Sequence, residues 1–197
     1  ADRDWSSDVC SSDLDLTHLK SVTLVGERCD IPTFKWVEDH LKGKLVNDCY
    51  WQTETGGPIL SNYLGFPTFP EKPGSACKPL PGYNVKVINS ATGVECKPNE
   101  PGTVYVKEPL PPSFMLTILN HDNMFINKYF STLPGHYNTG DSGYYDEDGY
   151  FHIMSREDDV INTAGHRLST GEMEEILMKH DKIAEAIVIG AADEIKG

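Results

Sequence analysis

The chain has 197 residues, room for one large domain or parts of two, and its 39% apolar content suits a globular protein and excludes wholesale disorder. A formal net charge of -13 argues against sequence-independent binding to nucleic acid or to an anionic membrane, since both need clustered Lys and Arg. No apolar run approaches the roughly 20 residues of a membrane span.

In chain order, the first segment has neither a helical nor a strand period. "SSDVCSSDL" (Ser6 to Leu14) nearly repeats itself, resembles translated sequencing-adaptor sequence, and reads as a non-native scar over residues 1–14. It has no basic region followed by an apolar one, the pattern of a secretory signal. Val22-Thr23-Leu24-Val25 reads as a short buried strand stopped by Gly26. Phe34, Val37 and Leu41 recur at helical spacing and predict a helix over about Thr33 to Leu41; Lys44 to Cys49 reads as the next strand. Strand, helix and strand suggest a parallel α/β unit. That unit puts "YWQTETGG" (Tyr50 to Gly57) at the carboxyl end of its second strand, where open α/β sheets bind ligands.

Pro and Gly then become dense. Val85 to Ile88 and Thr103 to Val106 read as strands, with turn chemistry in "NSATG" (Asn89 to Gly93), and predict a small antiparallel sheet or barrel. Asp122 to Phe130 reads as a short helix carrying Met124, Phe125, Lys128 and Tyr129. "YYDEDGYFHIMS" (Tyr144 to Ser155) is a hairpin by pattern, turning at Asp148-Gly149. After "REDDVINTAGHRL", Ser169 and Glu172 have capping-box spacing, and Leu168 with Met173 fits a hydrophobic staple. Met173, Ile176 and Leu177 form the expected inner face of that helix, and Ala184 to Gly190 reads as one more strand. A fresh helix and strand after a charged link suggest the start of another domain.

Cys10, Cys29, Cys49, Cys77 and Cys96 are scattered, with no CxxC and no zinc spacing, and read as free thiols of a reducing compartment. In "YWQTETGG", Thr hydroxyls and N–H groups beside glycines suit phosphate oxygens. A carboxylate among them needs a cation between, so Glu54 reads as a Mg²⁺ ligand beside a nucleotide, with Trp51 a flat wall for something apolar. A Gly-rich turn with a solvated Glu explains the same letters. In "YNTGDSG", Asp141 can accept both hydroxyls of a ribose diol or serve as a turn residue. Arg156 suits the same ligand or an ion pair with Glu157, Asp158 or Asp159. "TAGHRLS" sets small residues before Arg167 at a helix entrance, which suits an anion or a tight loop with a surface Arg. No nucleophile–base pair and no metal cluster stands out, and Cys49 reads as a packed thiol.

The order of "YWQTETGG" and "TGDSGYYDEDGYFHIMSREDDVINTAGHRLSTGEMEE" resembles the adenylate-forming acyl-CoA synthetases, from about Val22 onward. The acetyl- and propionyl-CoA synthetase branch is the most similar; "PGYNV" and "PLPP" lean to the propionyl side. The resemblance implies an α/β fold with an antiparallel, barrel-like portion, the C-terminal part of the large AMP-binding domain over residues 15–157 and the beginning of the small α+β domain over 158–197. It implies a ligase that joins a short carboxylic acid to CoA through an acyl-adenylate, using ATP, Mg²⁺ and CoA, in the cytoplasm or the mitochondrial matrix. By position, Gly26, Glu27, Asp48 and Gln52 would lie near adenine, Thr53 at the α-phosphate, and Glu54 on Mg²⁺. Asp141 would hold the ribose with Arg156 beside it, and Arg167 would face phosphate. Ala164 and Gly165 would border the CoA path, Val25 and Trp51 the acyl pocket, and Asp158 the hinge. The implied partners are these small molecules, with no nucleic acid and no membrane.

The family's Lys-bearing phosphate loop and the small domain's catalytic Lys would lie upstream and downstream, so this chain alone is expected to be an inactive fragment. Ser155, Glu157 and Thr163 replace the family's usual Gly, an uncharged residue and Val or a similar residue. Two alternatives stand beside this expectation: another adenylate-forming ligase, which the bulk of Trp51 disfavours, and a nucleotide-binding or interaction module without catalysis.

Overall fold

The structure, a computed structural model, describes residues 15–63, 65, 69–163, 166–180, 182–183 and 185–193. The segment read as a scar lies outside the described residues. Strands β1 (Ser21–Leu24) and β2 (Leu45–Asp48) pair in parallel, with Ser21 opposite Leu45 and Leu24 opposite Asp48. Helix α1 (Ile31–His40) connects them. It begins before the predicted Thr33 because Asp30 caps it: the carboxylate accepts the Thr33 N–H at 2.9 Å and the Thr33 hydroxyl at 2.6 Å. Pro32 sits where a missing N–H costs nothing. Phe34 is buried, whereas Val37 and Leu41 are only half-buried.

β1 is not the buried strand that its apolar letters suggest. Thr23 is exposed, Ser21, Val22 and Leu24 are half-buried, and Val25 lies outside the strand and exposed. Among the described residues β1 pairs on one side only, which leaves its other edge uncovered. β2 carries the burial instead. Val46, Asn47 and Asp48 are all buried at its carboxyl end. Asn47 is satisfied there, donating to Ser61 Oγ at 2.8 Å and accepting the Asn62 N–H at 3.0 Å.

Short strands β3 (Leu60–Ser61) and β4 (Lys78–Pro79) pair antiparallel. Then comes an open antiparallel sheet of β5 (Asn84–Ile88), β6 (Gly102–Lys107), β7 (His136–Tyr145) and β8 (Phe151–Arg156), in that spatial order. Val85 faces Val106 and Val87 faces Val104, so β-branched side chains stack across the pair. The turn between β7 and β8 includes Asp148-Gly149 as predicted, and Asp146 organises it by accepting the Asp148 and Tyr150 N–H groups at 3.0 Å each. Helix α2 (Asp122–Tyr129) precedes β7. Ile59, Leu60, Val87, Val104, Val106, Phe114, Tyr129 and Tyr137 form the core on one face of this sheet. Tyr137 anchors it, stacked on Tyr129 at 5.2 Å and edge-on to Phe114 at 5.1 Å.

Beyond the sheet, β9 (Ile161–Thr163) pairs antiparallel with β10 (His166–Leu168), and α3 (Thr170–Met178) follows. Ser169 stands at its start, its carbonyl accepting the Met173 N–H at 3.3 Å. The Glu172 side chain lies outside the described residues, and the expected capping box with it. Two expectations fail here. Met173, Ile176 and Leu177 are exposed rather than an inner face. Residues 185–190 form no strand; among the described residues no strand edge lies paired with them. An apolar run specifies a strand only where a partner edge exists to take its backbone hydrogen bonds.

Candidate functional site

The loop after β2 is pinned at both ends on the core. The Tyr50 N–H donates to Leu60 O at 3.0 Å, the Ile59 N–H donates to Tyr50 O at 2.9 Å, and Ile59 and Leu60 are fully buried. Between them Thr53–Thr55 form one turn of 3-10 helix. Thr55 is fully buried, with its hydroxyl within reach of the Gln52 and Gly57 carbonyls at 2.8 and 2.7 Å. It therefore shapes the loop. Gly56 has φ +67°, and a Cβ there would stand 2.2 Å from the Ser113 carbonyl oxygen, so only glycine fits. Thr53 is exposed.

This scaffold aims Gln52 and Glu54. Gln52 Oε1 accepts the Tyr137 hydroxyl at 2.9 Å, which fixes the amide so that Nε2 donates to Thr139 O and Asp141 Oδ2, both at 2.7 Å. The Tyr50 hydroxyl donates to the same Asp141 Oδ2. Asp141 is buried on β7, directly opposite Arg156 on β8, whose Nη1 lies 3.4 Å from Asp141 Oδ1. Gly140, at φ +70°, lets the guanidinium lie against the backbone; a Cβ there would be 3.1 Å from Arg156 Nη2. Glu54 Oε1 accepts the Tyr129 hydroxyl at 2.6 Å. Burial, and then this hydrogen bond, raises the Tyr129 pKa, so the phenol remains a donor to the carboxylate.

An open cleft of about 1540 Å³ separates β1 and β2 from the end of β8. It is lined by Val25, Gly26, Glu27, Asp48, Tyr50, Trp51, Gln52, Asp141 and Arg156, among others. Eight residues singled out in the sequence thus converge: Val25, Gly26, Glu27, Asp48, Trp51, Gln52, Asp141 and Arg156. Glu54 lines an adjoining cavity of about 250 Å³ with Gln52, Lys128, Tyr129, Gly140 and Arg156. Thr53 lines neither. Ala164, Gly165 and the side chains of Asp158 and Arg167 lie outside the described residues.

Burial raises the Asp48 carboxyl to a pKa of about 7, with the charge of Glu71 adding to it and the Cys49 N–H opposing it. Burial and then the Asp48 charge push the Cys49 thiol up to about 11, which leaves it protonated and a packing group as expected. Cys29, Cys49, Cys77 and Cys96 all carry free thiols. Among the described residues no three His, Cys, Asp or Glu side chains gather as a metal cage. No helix among them is long and apolar enough to cross a membrane. Sequence reasoning missed Tyr50 and Tyr137, which hold Asp141 and Gln52 in place. The only local signal was an aromatic residue two positions before Gln52.

The family model for the AMP-binding enzyme matches residues 4–116. The chain belongs to the AMP-binding enzyme family. It is 44% identical over 197 residues to the mitochondrial acyl-CoA synthetase short-chain family member B of Dictyostelium discoideum, covering 99% of this chain and 28% of that protein. It is 44% identical over 184 residues to the propionate–CoA ligase of Escherichia coli, covering 93% of this chain and 29% of that one. The chain therefore spans under a third of the length of these curated relatives. Among solved structures, the O-succinylbenzoate coenzyme A synthetase of Bacillus subtilis in complex with AMP aligns with a TM-score of 0.71 at 31% identity, over 90% of this chain and 34% of that chain. The chain thus has the fold expected from the resemblance, an α/β unit beside an antiparallel sheet.

Proposed function

We propose that this chain is the nucleotide-holding part of a short-chain carboxylic acid–CoA ligase, with propionate or acetate as the acid. The observation that carries the reading is the convergence of Gly26, Glu27, Asp48, Gln52, Asp141 and Arg156 on one cleft, in a chain that belongs to the AMP-binding family. The adenosine of ATP lies along that cleft, with Gly26, Glu27 and Asp48 at adenine. The ribose diol donates to the Asp141 carboxylate beside Arg156. Thr53 and Arg167 face phosphate, Ala164 and Gly165 border the path of CoA, Val25 and Trp51 bound the acyl group, and Asp158 is the hinge. Large-domain residues 15–157 and the small domain from residue 158 divide the work.

In the first step a carboxylate oxygen of the acid bonds to the α-phosphorus of ATP and the bond to pyrophosphate breaks. In the second, the CoA sulfur bonds to the acyl carbon, the bond to AMP oxygen breaks, and the thiol proton is released. The chain's own contribution is positioning and charge stabilisation. Arg156 offers a fixed positive charge, and the Tyr129–Glu54 bond fixes a carboxylate. Glu54 fits Mg²⁺ in the way that ion is commonly held, by one carboxylate with the nucleotide's own phosphates, and the ion would neutralise phosphate charge there.

The test has two arms. The complete reading frame that encodes this sequence is assayed for propionate-dependent exchange of pyrophosphate into ATP, and this chain alone is titrated with AMP. Exchange at about 1 per second or faster by the complete protein is expected, with thioester on adding CoA. The chain alone should bind AMP and give no turnover. AMP binding with no exchange by the complete protein would favour a non-catalytic binding module. No binding and no exchange would overturn the reading.

A further inference from the structure

We propose that Tyr50 is a positioning residue: its hydroxyl holds the Asp141 carboxylate in the orientation that receives a ribose diol. The proposal rests on the reading that this cleft takes a nucleotide, and assigns a role to a side chain which that reading leaves unused. Three observations carry it. First, one oxygen of Asp141 is doubly held. Oδ2 accepts two short donors, the Tyr50 hydroxyl and Gln52 Nε2 at 2.7 Å, and Arg156 stands 3.4 Å from Oδ1. The carboxylate cannot rotate about its last torsion without breaking these two charge-assisted hydrogen bonds.

Second, the clamp is half-buried and comes from a different part of the fold. Tyr50 sits at the end of β2, bridged to Leu60, while Asp141 is on β7. Burial, and then the Asp141 charge, raises the Tyr50 pKa well above its ordinary value, so the phenol remains a donor throughout the physiological range. Third, the hold that Gln52 has on Asp141 is indirect. Its amide gives one N–H to Asp141 and the other to the Thr139 carbonyl, and its orientation depends on the Tyr137 hydroxyl. The Tyr50 hydroxyl, by contrast, gives its single proton directly to Asp141.

The consequence is specific. Removing the Tyr50 hydroxyl leaves the ring packed but takes one of the two short donors from Oδ2, so the carboxylate is held less firmly, and a diol that needs both oxygens aligned loses affinity. A ligand without the diol loses nothing. The experiment compares wild type with Tyr50→Phe by calorimetric titration of AMP and of the AMP analogue lacking both ribose hydroxyls, with folding checked by circular dichroism. Tyr50→Phe is expected to weaken AMP about tenfold and the dideoxy analogue by less than about twofold. In an Asp141→Asn background the same substitution should change AMP affinity by less than about twofold. Equal losses for both ligands, or a full further loss in the Asp141→Asn background, would show that Tyr50 only packs, and would overturn the proposal while leaving the nucleotide reading intact. Wild-type protein that binds neither ligand would overturn both.

Discussion

Asp48 should make the stability of this protein fall as pH rises from acid to neutral. Its carboxyl is 6% exposed at the end of β2, and its pKa is lifted from 3.8 to about 7, by burial first and by Glu71 second. Between those values the folded state keeps a proton that the unfolded chain has released. Stability from this group is therefore fully present below the unfolded value, is lost progressively as pH rises, and is gone above about 7. The interval corresponds to about 4 kcal/mol at most, a large share of the stability of an ordinary domain. Asp48→Asn has no proton to lose, so its stability should change much less across the window. A smaller slope should remain, because burial also raises the Glu71 carboxyl against the hydrogen bonds it accepts from Asn62 and Cys77. The assay is urea unfolding followed by fluorescence at several pH values from about 4 to about 8, on wild type, Asp48→Asn, and the double variant with Glu71→Gln. Wild-type stability should drop with rising pH, the single variant less, the double variant least. Parallel profiles for wild type and Asp48→Asn would refute the assignment of the slope to this carboxyl.

The opposite limb belongs to Asp146. Burial opposes its ionisation, yet Lys72, the Tyr150 N–H and His152 outweigh that and hold it at about 2, so its contribution is present above the ordinary 3.8 and lost as pH falls through about 2; Asp146→Asn should flatten the acid limb of the same unfolding profile below about pH 4. Gly56→Ala should cost roughly 2 kcal/mol or more, from a left-handed φ and a 2.2 Å approach to Ser113 O. Gly57→Ala, where no atom lies within 4 Å of the added Cβ, should stay within about 0.5 kcal/mol in the same denaturation assay. Trp51 is 44% exposed at the cleft, so Trp51→Gly should lower stability little. In the complete protein it should raise the kcat/KM for hexanoate relative to propionate, by up to about 10- to 200-fold per added methylene. A uniform drop over all acids would show that Trp51 does not bound the acyl group.

The parallel β1–α1–β2 unit was legible because its signals are local: an apolar strand, helical spacing of Phe34, Val37 and Leu41, and a polar loop where a second strand ends. The β7–β8 hairpin was legible for the same reason, from Asp148-Gly149 between aromatic arms. What the letters could not carry is pairing. Ala184 to Gly190 has the composition of a strand, yet residues 185–190 form none and pair with no strand edge among the described residues. Met173, Ile176 and Leu177 have the spacing of a buried face, yet they are exposed. At the cleft, Asp141 was legible from its own chemistry and Gln52 only through the family resemblance, and nothing in the letters showed that one bonds the other. The Tyr50–Asp141 contact joins residues 91 positions apart, and no local pattern announces it.

The loop after β2 needs its polar letters because it faces two cavities. Gln52 and Arg156 line both cavities, the large cleft and the small one at Glu54. They are the wall between a compartment with Asp48, Trp51 and Asp141 and a compartment with Glu54, Lys128 and Tyr129. Such a wall must present donors to one side and leave a carboxylate on the other, and each side depends on its geometry. Thr55 and Gly56 meet that demand from beneath, one by closing the turn with its hydroxyl, the other by admitting Ser113 where a side chain would collide. Tyr137 and Tyr129 meet it from the sheet, stacked on each other at 5.2 Å, with one hydroxyl on Gln52 and the other on Glu54. A single aromatic pair in the core thus sets the positions of Gln52 and Glu54. Loosening that pair should therefore disturb the two compartments together, whereas a change at Tyr50 should disturb only the one that holds Asp141.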